Sequence, residues 1–289
     1  MDNKLNNMLN DFFKENEYLT DEELDAKLKD FVRNLNNNEI KYQDTPLDEA
    51  YEILKKARNA KTKKQAIKLA NEAFEKSNAC FDAIIFLSEL EDDQTKKLEI
   101  LNDGLEKEKE RLEQEGFFDK KKIGSFYSIF ETRPYITGLG TKAALLTSFG
   151  QIRQAIDICK EVLKLNSNDN TGIRYLLMSI YAYLEDEKEL TKLYNKYKEE
   201  NIRALFPMLV LYYKLGNFEK AKEYLNLLNK NNKHFVKFFK GTLEPNKDLM
   251  SGYYSIGDET EVVVSMVDNI FLLDSVSQID KFIIENSKK

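Results

Sequence analysis

The amino-acid sequence predicts an all-α protein built from repeated helix-turn-helix units, and three observations support this fold class. Eleven glycines and four prolines in 289 residues are few for a β-sandwich or barrel, which needs many turns. Between Leu47 and Asn232, no stretch of useful length alternates apolar and polar residues with the period of two that a strand requires. A short turn motif also recurs at intervals of about 35 and about 31 residues, which bracket the period of a helix-turn-helix repeat.

The first predicted elements are N-terminal helices within residues 1–45. Thr20 and Glu23 have the spacing of a capping box, in which the threonine oxygen accepts from a backbone N–H of the first turn and the glutamate reaches back to the threonine. An apolar stripe with helical spacing then follows. It consists of Leu24, Leu28, Phe31 and Leu35.

Residues 46–240 are predicted to form an array of helix pairs. Thr45-Pro46 begins the array, because a proline at the first helical position has no intrahelical hydrogen bond to lose. Further along, Phe149-Gly150-Gln151-Ile152 recurs as Leu215-Gly216-Asn217-Phe218, and a degenerate copy begins at Leu184-Glu185. Since one such unit cannot bury its apolar face alone, the units are expected to stack.

Residues 241–289 are predicted to form a C-terminal helical cap. Asp258 and Glu261 have the spacing of another capping box, which would open a helix over residues 259–273. A second helix is expected over residues 275–285. Together these helices would cover the apolar edge of the last repeat.

The repeats resemble the tetratricopeptide repeat, whose small residues let the first helix of a pair, helix A, approach the second, helix B. In one unit the pattern is filled by Ala143, Leu146, Gly150, Ala155 and Val162. In a later unit it is filled by Tyr212, Gly216, Phe218, Ala221 and Leu225. The resemblance implies a right-handed solenoid in which the A helices line a concave groove.

A narrower resemblance is to a family of bacterial tetratricopeptide proteins that is itself similar to the suppressor-of-tumorigenicity-7 type. Three stretches carry it: residues 131–135, residues 165–175, and the tail that contains Asn232-Lys233-His234 and Tyr253-Tyr254-Ser255. The sequence departs from the pattern at Lys233, where the family has proline. This resemblance implies the fold and leaves the activity open.

The groove positions implied by the repeat pattern predict a binding surface for a partner peptide or subunit. Aromatic rings there would supply rigid apolar area, and the cations would orient acidic groups. The predicted partner-binding residues are Tyr175, Ser179, Tyr183, Arg203, Phe206, Val210, Tyr213 and Lys214. The sequence thus favours a non-enzymatic protein-interaction or scaffold module.

Two alternatives from other classes remain at this point, a nucleic-acid-binding repeat protein and a carboxylate-based hydrolase. The net charge of −6 and the single contiguous basic run, Lys120-Lys121-Lys122 directly after Asp119, argue against nucleic acid as a partner. No nucleophile and base stand at a recognisable spacing, so no catalytic residue is predicted.

The composition also argues against metal and cofactor sites. One histidine and two cysteines are too few for a Cys/His metal cage or a disulfide framework. No cofactor or metal is therefore predicted. The start of the sequence is polar and no stretch is apolar enough to cross a bilayer, so a cytoplasmic location without a membrane partner is expected.

Arg133 and Arg174 each stand at the expected start of an A helix, with an acidic residue nearby, Glu131 or Asp169. The favoured interpretation is structural, with the guanidinium holding an inter-repeat turn by forked hydrogen bonds. The alternative is a clamp for an anion such as a peptide carboxylate or a phosphate.

Overall fold

The computed structural model describes residues 5, 8, 9, 12, 13, 15, 16, 18–37, 44–243 and 254–287. These residues form fifteen α-helices and no β-strand, which confirms the predicted all-α class. Parts of the predicted N-terminal region, and Tyr253 in the tail, lie outside the described residues. The helices are α1 Asp21–Asn36, α2 Pro46–Arg58, α3 Lys63–Lys76, α4 Asp82–Leu90, α5 Gln94–Gln114, α6 Arg133–Ser148, α7 Ile152–Leu165, α8 Ile173–Tyr183, α9 Glu187–Tyr197, α10 Ile202–Lys214, α11 Phe218–Asn231, α12 Phe235–Phe239, α13 Glu259–Asp268, α14 Ile270–Asp274 and α15 Ile279–Asn286.

The chain divides into two compact units, Met1–Gly138 and Leu139–Lys289, with the boundary inside α6. Each unit is described by itself below, as unit 1 and unit 2. The predicted division into N-terminal helices, repeat array and cap follows the sequence pattern and stays a prediction. In the described residues, no helix is both long and apolar enough to cross a membrane.

Unit 1 confirms the helix starts that the sequence predicts. Thr20 and Glu23 form both halves of a capping box at α1, and Thr45 and Asp48 do the same at α2. Helices α2 to α5 contact one another in chain order. Small residues let these helices approach closely. Part of the resulting core consists of Ala50, Leu54, Ala57, Ala70, Ala73, Cys80 and Ala83.

Unit 2 contains three helix pairs whose turns share one backbone geometry. At Gly150, Glu185 and Gly216 the backbone is left-handed, with φ of 70°, 60° and 70°. In each turn, the residue that follows the left-handed position donates its N–H to the carbonyl of the residue five positions before it. The N···O distance is 2.8 Å in the first turn and 2.9 Å in the other two. This is the Schellman ending of a helix. The degenerate copy at Glu185 is therefore a true repeat turn, with glutamate where the other two have glycine.

The C-terminal helices are present but differ in detail from their prediction. The expected single helix over residues 259–273 is two helices, α13 and α14, which meet at Asn269. The Asn269 side chain donates to the Ser265 carbonyl at 2.8 Å. Asp258 caps α13 as predicted, whereas the Glu261 carboxylate accepts from the Gly257 N–H at 2.7 Å and from two groups outside its own helix.

Candidate functional site

The predicted groove corresponds to the face of α8 and α10, the A helices of two successive pairs, which contact each other in unit 2. Ten of the thirteen residues of α10 are buried. A helix that lined an open groove would expose one side to water. Burial on nearly all sides means that other elements cover α10.

One of the elements that cover α10 is the chain's own segment of residues 254–287, called the C-terminal segment here. Its helix α13 contacts α10, and α14 contacts α8. Its amphipathic helices therefore occupy the face that the sequence assigns to a partner. The groove, defined as the face formed by the eight predicted partner-binding residues, is filled in this structure.

Three polar contacts fix the C-terminal segment in the groove. The Ile202 N–H, in the first turn of α10, donates to the Glu261 carboxylate at 3.0 Å. Arg203 donates to Asp268 at 2.5 Å, and the Ser179 hydroxyl donates to the Asn269 side-chain oxygen. A carboxylate at a helix N-terminus is favourable, because the first N–H groups of the helix have no partner within it.

Glu261 is 2% exposed, and its second oxygen also accepts from the Asn232 side chain at 3.0 Å. Three donors from three parts of unit 2 thus converge on one buried carboxylate. Such a charge is tolerated in the interior only when its lone pairs are satisfied in this way. Glu261 therefore ties the C-terminal segment to α10 and to the end of α11.

Aromatic contacts close the remaining parts of the groove. Tyr183 lies 6.1 Å from Phe271 between ring centroids, and Tyr213 lies 5.0 Å from Phe282 in an edge-to-face arrangement. Phe206 packs between α10 and α12, with its ring centroid 6.2 Å from that of Phe235. These distances are those of favourable aromatic pairs.

The structure therefore brings the eight predicted partner-binding residues together. Most of them, however, already contact other residues of the same chain. Phe206 and Val210 are fully buried, Ser179 is 2% exposed, and Tyr183 is 38% exposed. Lys214 donates to the backbone oxygens of Tyr183 and Ala182. That these residues bind a partner stays a prediction.

Arg174, one of the two proposed anion clamps, is surrounded by protein acceptors. Its guanidinium donates to Asp169 at 2.8 Å and to Glu199 at 2.8 Å, and to the Tyr175 hydroxyl at 2.8 Å. Asp169 also accepts from the Ile173 N–H at 2.9 Å, at the start of α8. All three guanidinium nitrogens donate within unit 2, which supports the structural interpretation of this arginine.

The charges around Arg174 shift the pKa values of the cluster. Burial lowers the pKa of the Arg174 guanidinium, but hydrogen bonds to Asp169 and Glu199 outweigh burial and raise it above its ordinary value. Burial, together with the hydrogen bond to Glu199, raises the pKa of Tyr175 to about 12. The phenol is therefore neutral at physiological pH and donates to Glu199 at 2.6 Å.

Arg133, the other proposed clamp, lines a cleft in unit 1 with a volume of about 500 Å³. Its Nε donates to the Tyr127 carbonyl at 2.9 Å, and its guanidinium lies over the rings of Tyr127 and Phe130, 5.1 and 5.9 Å from their centroids. Lys55 and Arg58 line the same cleft. The cleft therefore carries three cationic side chains.

The sequence did not indicate Lys55, Arg58 or Asp82 as cleft residues. Lys55 and Arg58 lie in the last turn of α2, where basic side chains are common because they interact favourably with the helix dipole. Asp82 lies in the first turn of α4, where acidic side chains are common because they also interact favourably with the helix dipole. Only the basic run Lys55-Lys56-Ala57-Arg58 could have drawn attention to this end of α2.

Metal-ligand side chains and the two cysteine thiols were the remaining candidates for chemistry among the described residues. Within the described ranges, no group of three or more His, Cys, Asp or Glu side chains is placed to hold a metal ion. Burial raises the pKa values of Cys80 and Cys159 to about 12. Both thiols are therefore protonated at neutral pH and are poor nucleophiles.

The fold defines an all-α protein with repeated helix pairs joined by turns of one backbone geometry. No family model and no curated protein matches the chain. Among solved structures, the chain is similar to a tetratricopeptide repeat protein from Parabacteroides merdae ATCC 43184, with 14% sequence identity, coverage of 83% of this chain and 96% of that chain, and a TM-score of 0.46. The narrower resemblance to the suppressor-of-tumorigenicity-7 type stays a prediction.

Proposed function

We propose that the chain is a non-enzymatic protein-interaction module that binds a helical segment of a partner protein in the groove of α8 and α10. One observation carries the proposal: the groove already accommodates a helical segment, the chain's own residues 254–287. A surface that accepts one amphipathic helix through apolar and polar contacts has the shape and chemistry to accept another.

The contacts of the C-terminal segment indicate which kind of helix would fit. Glu261 meets the N-terminus of α10 and Asp268 meets Arg203. These two acids stand seven residues apart, which is about two helical turns and places them on one face. Between them, Met266 is 2% exposed and faces the interior. The proposed partner is thus an amphipathic helix with two acidic residues seven positions apart and apolar residues between them.

Binding in the groove would require the C-terminal segment to leave it. The partner would then bind only the open fraction of molecules, and its apparent affinity would be lowered by that fraction. The segment would act as an internal competitor that selects for partners with matching acids and apolar residues. The interaction would be a helix-for-helix exchange.

The absence of an activated nucleophile among the described cysteines supports a non-enzymatic role. His234 is 3.7 Å from Glu259 between Nδ1 and Oε2, and its backbone N–H donates to Asn232 at 2.9 Å, which are contacts typical of a loop beside a helix start. No observation favours the nucleic-acid or hydrolase alternatives. The cytoplasmic location and the bacterial family remain part of the same proposal.

A cleavable form of the full chain tests the proposal. A protease site is placed between residues 243 and 254, so that cleavage leaves the C-terminal segment held by its contacts alone. A labelled synthetic peptide of residues 254–287 is then added. We expect it to enter the groove at least about tenfold more tightly than the same peptide with Glu261→Gln and Asp268→Asn, which corresponds to about 1.4 kcal/mol.

Two results would contradict the proposal. If the two peptides bind equally, the acids do not select the helix. If the added peptide never displaces the original segment and the cleaved chain unfolds only as a whole, the segment is a permanent part of the core. Far-UV circular dichroism of the cleaved chain distinguishes retained fold from unfolding in either case.

A further inference from the structure

Three cations of the unit 1 cleft have no acidic partner among the described residues. Elsewhere in this unit Lys63 pairs with Asp92, Lys107 with Asp103 at 2.8 Å, and Arg111 with Glu108 at 2.8 Å. Within the described part of the chain, no carboxylate comes within 4.0 Å of a side-chain nitrogen of the three cleft cations. These are Lys55, Arg58 and Arg133.

The chain as a whole is acidic, with a net charge of −6. Three cations nonetheless line one cleft without forming an ion pair with a described acid. One acid, Asp82, also lines the cleft, and it accepts a hydrogen bond from the Tyr51 hydroxyl at 2.7 Å. The cleft therefore carries a net charge of about +2, since three cations face one acid.

Arg133 is held in an orientation suited to an oxyanion. Its Nε donates to the Tyr127 carbonyl and its guanidinium plane lies over two rings. Among the described residues, Nη1 and Nη2 have no hydrogen-bond acceptor. Two parallel N–H groups at one end of a fixed guanidinium match the two oxygens of a carboxylate or a phosphate.

The other walls of the cleft are apolar. Leu54, Phe130 and Pro134 line it together with the ring of Tyr51, whose centroid is 6.0 Å from that of Phe130. The volume of about 500 Å³ lies within the range of small-molecule sites, and apolar walls with a few directed polar groups are typical of such sites.

From these observations we infer that the cleft of unit 1 binds a small organic anion. Its carboxylate or phosphate group contacts Arg58 and Arg133, and its apolar body lies against Tyr51, Leu54 and Phe130. Lys55 adds a third positive charge at the rim. This site lies in unit 1 and is independent of the proposed function of the groove in unit 2.

The test uses the full chain with three probes, which are phenyl phosphate, benzoate and inorganic phosphate, in isothermal titration calorimetry. We expect phenyl phosphate or benzoate to bind with a Kd of about 1 mM or tighter, and inorganic phosphate at least about tenfold more weakly because it lacks the apolar body. Preference between the first two probes identifies the anion as a phosphate or a carboxylate.

Variants assign the binding to the cleft. Arg58→Gln and Arg133→Gln are each expected to weaken binding of the preferred probe by at least about tenfold. Lys56→Gln is the matched control, because Lys56 is an exposed neighbour on the same helix that does not line the cleft. The affinity of this variant for the probe should equal that of the wild type. Arg58 is exposed, so Arg58→Gln should fold even if Arg133→Gln loses stability.

Three results would overturn the inference. The first is no binding of either organic probe to the wild type. The second is equal binding of inorganic phosphate and the organic probes, which would mean that the apolar walls contribute nothing. The third is either an unchanged affinity in Arg58→Gln, which would place the probe outside the cleft, or a loss in Lys56→Gln equal to that in Arg58→Gln, which would mean that general surface charge holds the probe.

Discussion

The groove of unit 2 and the cleft of unit 1 are both concave surfaces lined by rings and cations, but the chain fills one and leaves the other open. In the groove, Arg203 pairs with Asp268 at 2.5 Å and Tyr213 packs on Phe282. In the cleft, Arg58 and Arg133 line about 500 Å³ of space and form no ion pair with a carboxylate of the described residues. A concave surface in a helical repeat can therefore serve stability or binding, depending on whether the chain supplies its own occupant.

This difference determines how substitutions should act. A change in the groove removes contacts within the folded chain and should lower the free energy of unfolding. A change at the exposed cations of the cleft removes few internal contacts and should leave stability almost unchanged. Stability and ligand affinity therefore separate the two surfaces.

The largest effect is expected for Phe206→Ala in the groove. Phe206 is fully buried and packs against Phe235 and Phe239, so its truncation should leave a cavity and lower the free energy of unfolding by about 3–5 kcal/mol. Urea denaturation followed by circular dichroism measures the change. Arg58→Ala is the comparison variant from the cleft, with an expected change within about 0.5 kcal/mol. Similar losses of the free energy of unfolding in both variants would show that the two surfaces do not differ in their role in stability.

A smaller effect is expected for Glu261→Ala. The substitution leaves the Ile202 N–H, the Gly257 N–H and the Asn232 side chain without their carboxylate acceptor, which should cost about 2–3 kcal/mol. The free energy of unfolding from urea melts is again the readout. Glu285→Ala, at an exposed position of α15, is the control and should change stability by less than about 0.5 kcal/mol. Equal effects of the two substitutions would argue that Glu261 does not tie the segment to α10.

The smallest effect concerns pH and Tyr175. Its pKa rises from 10.0 to about 12 in the folded chain, so the folded state holds the phenol proton more tightly than the unfolded state. The stabilisation is complete below about pH 10 and is lost as the pH rises through about 12. We expect the stability advantage of the wild type over Tyr175→Phe to shrink across this interval. An advantage that stays constant from pH 10 to pH 12 would contradict the shift.

The sequence was sufficient for the elements that local chemistry determines. The capping box at Thr20 and the helix start at Thr45-Pro46 form as predicted, because every group they need lies within four residues. The repeat turn at Glu185 was also found, although its residue is not glycine, because the spacing from Gly150 and Gly216 marks the position. Helix starts and turns are encoded over short stretches, so they can be recognised in a single sequence.

The placement of the C-terminal segment could not be predicted in the same way. Amphipathic spacing in residues 259–286 shows that one face is buried, but it does not specify the surface that buries it. Asp268 is indistinguishable in the sequence from an exposed acid, and the capping-box spacing of Glu261 does not reveal its contact with α10. Their partners Ile202 and Arg203 lie far away along the chain. The cleft was missed for the same reason, since Arg58 and Arg133 are brought together only by the fold.

Amide hydrogen exchange of the full chain tests most directly whether the groove is filled. The amides of α13 and α14 should exchange together and at least about 100-fold more slowly than in an unfolded peptide, which corresponds to about 2.7 kcal/mol of opening free energy. The amides of α8 and α10 should exchange at the same rate as the C-terminal segment or more slowly. Unprotected amides throughout residues 259–274, with α8 and α10 still protected, would show that the groove is open in solution and would contradict the occupancy described here.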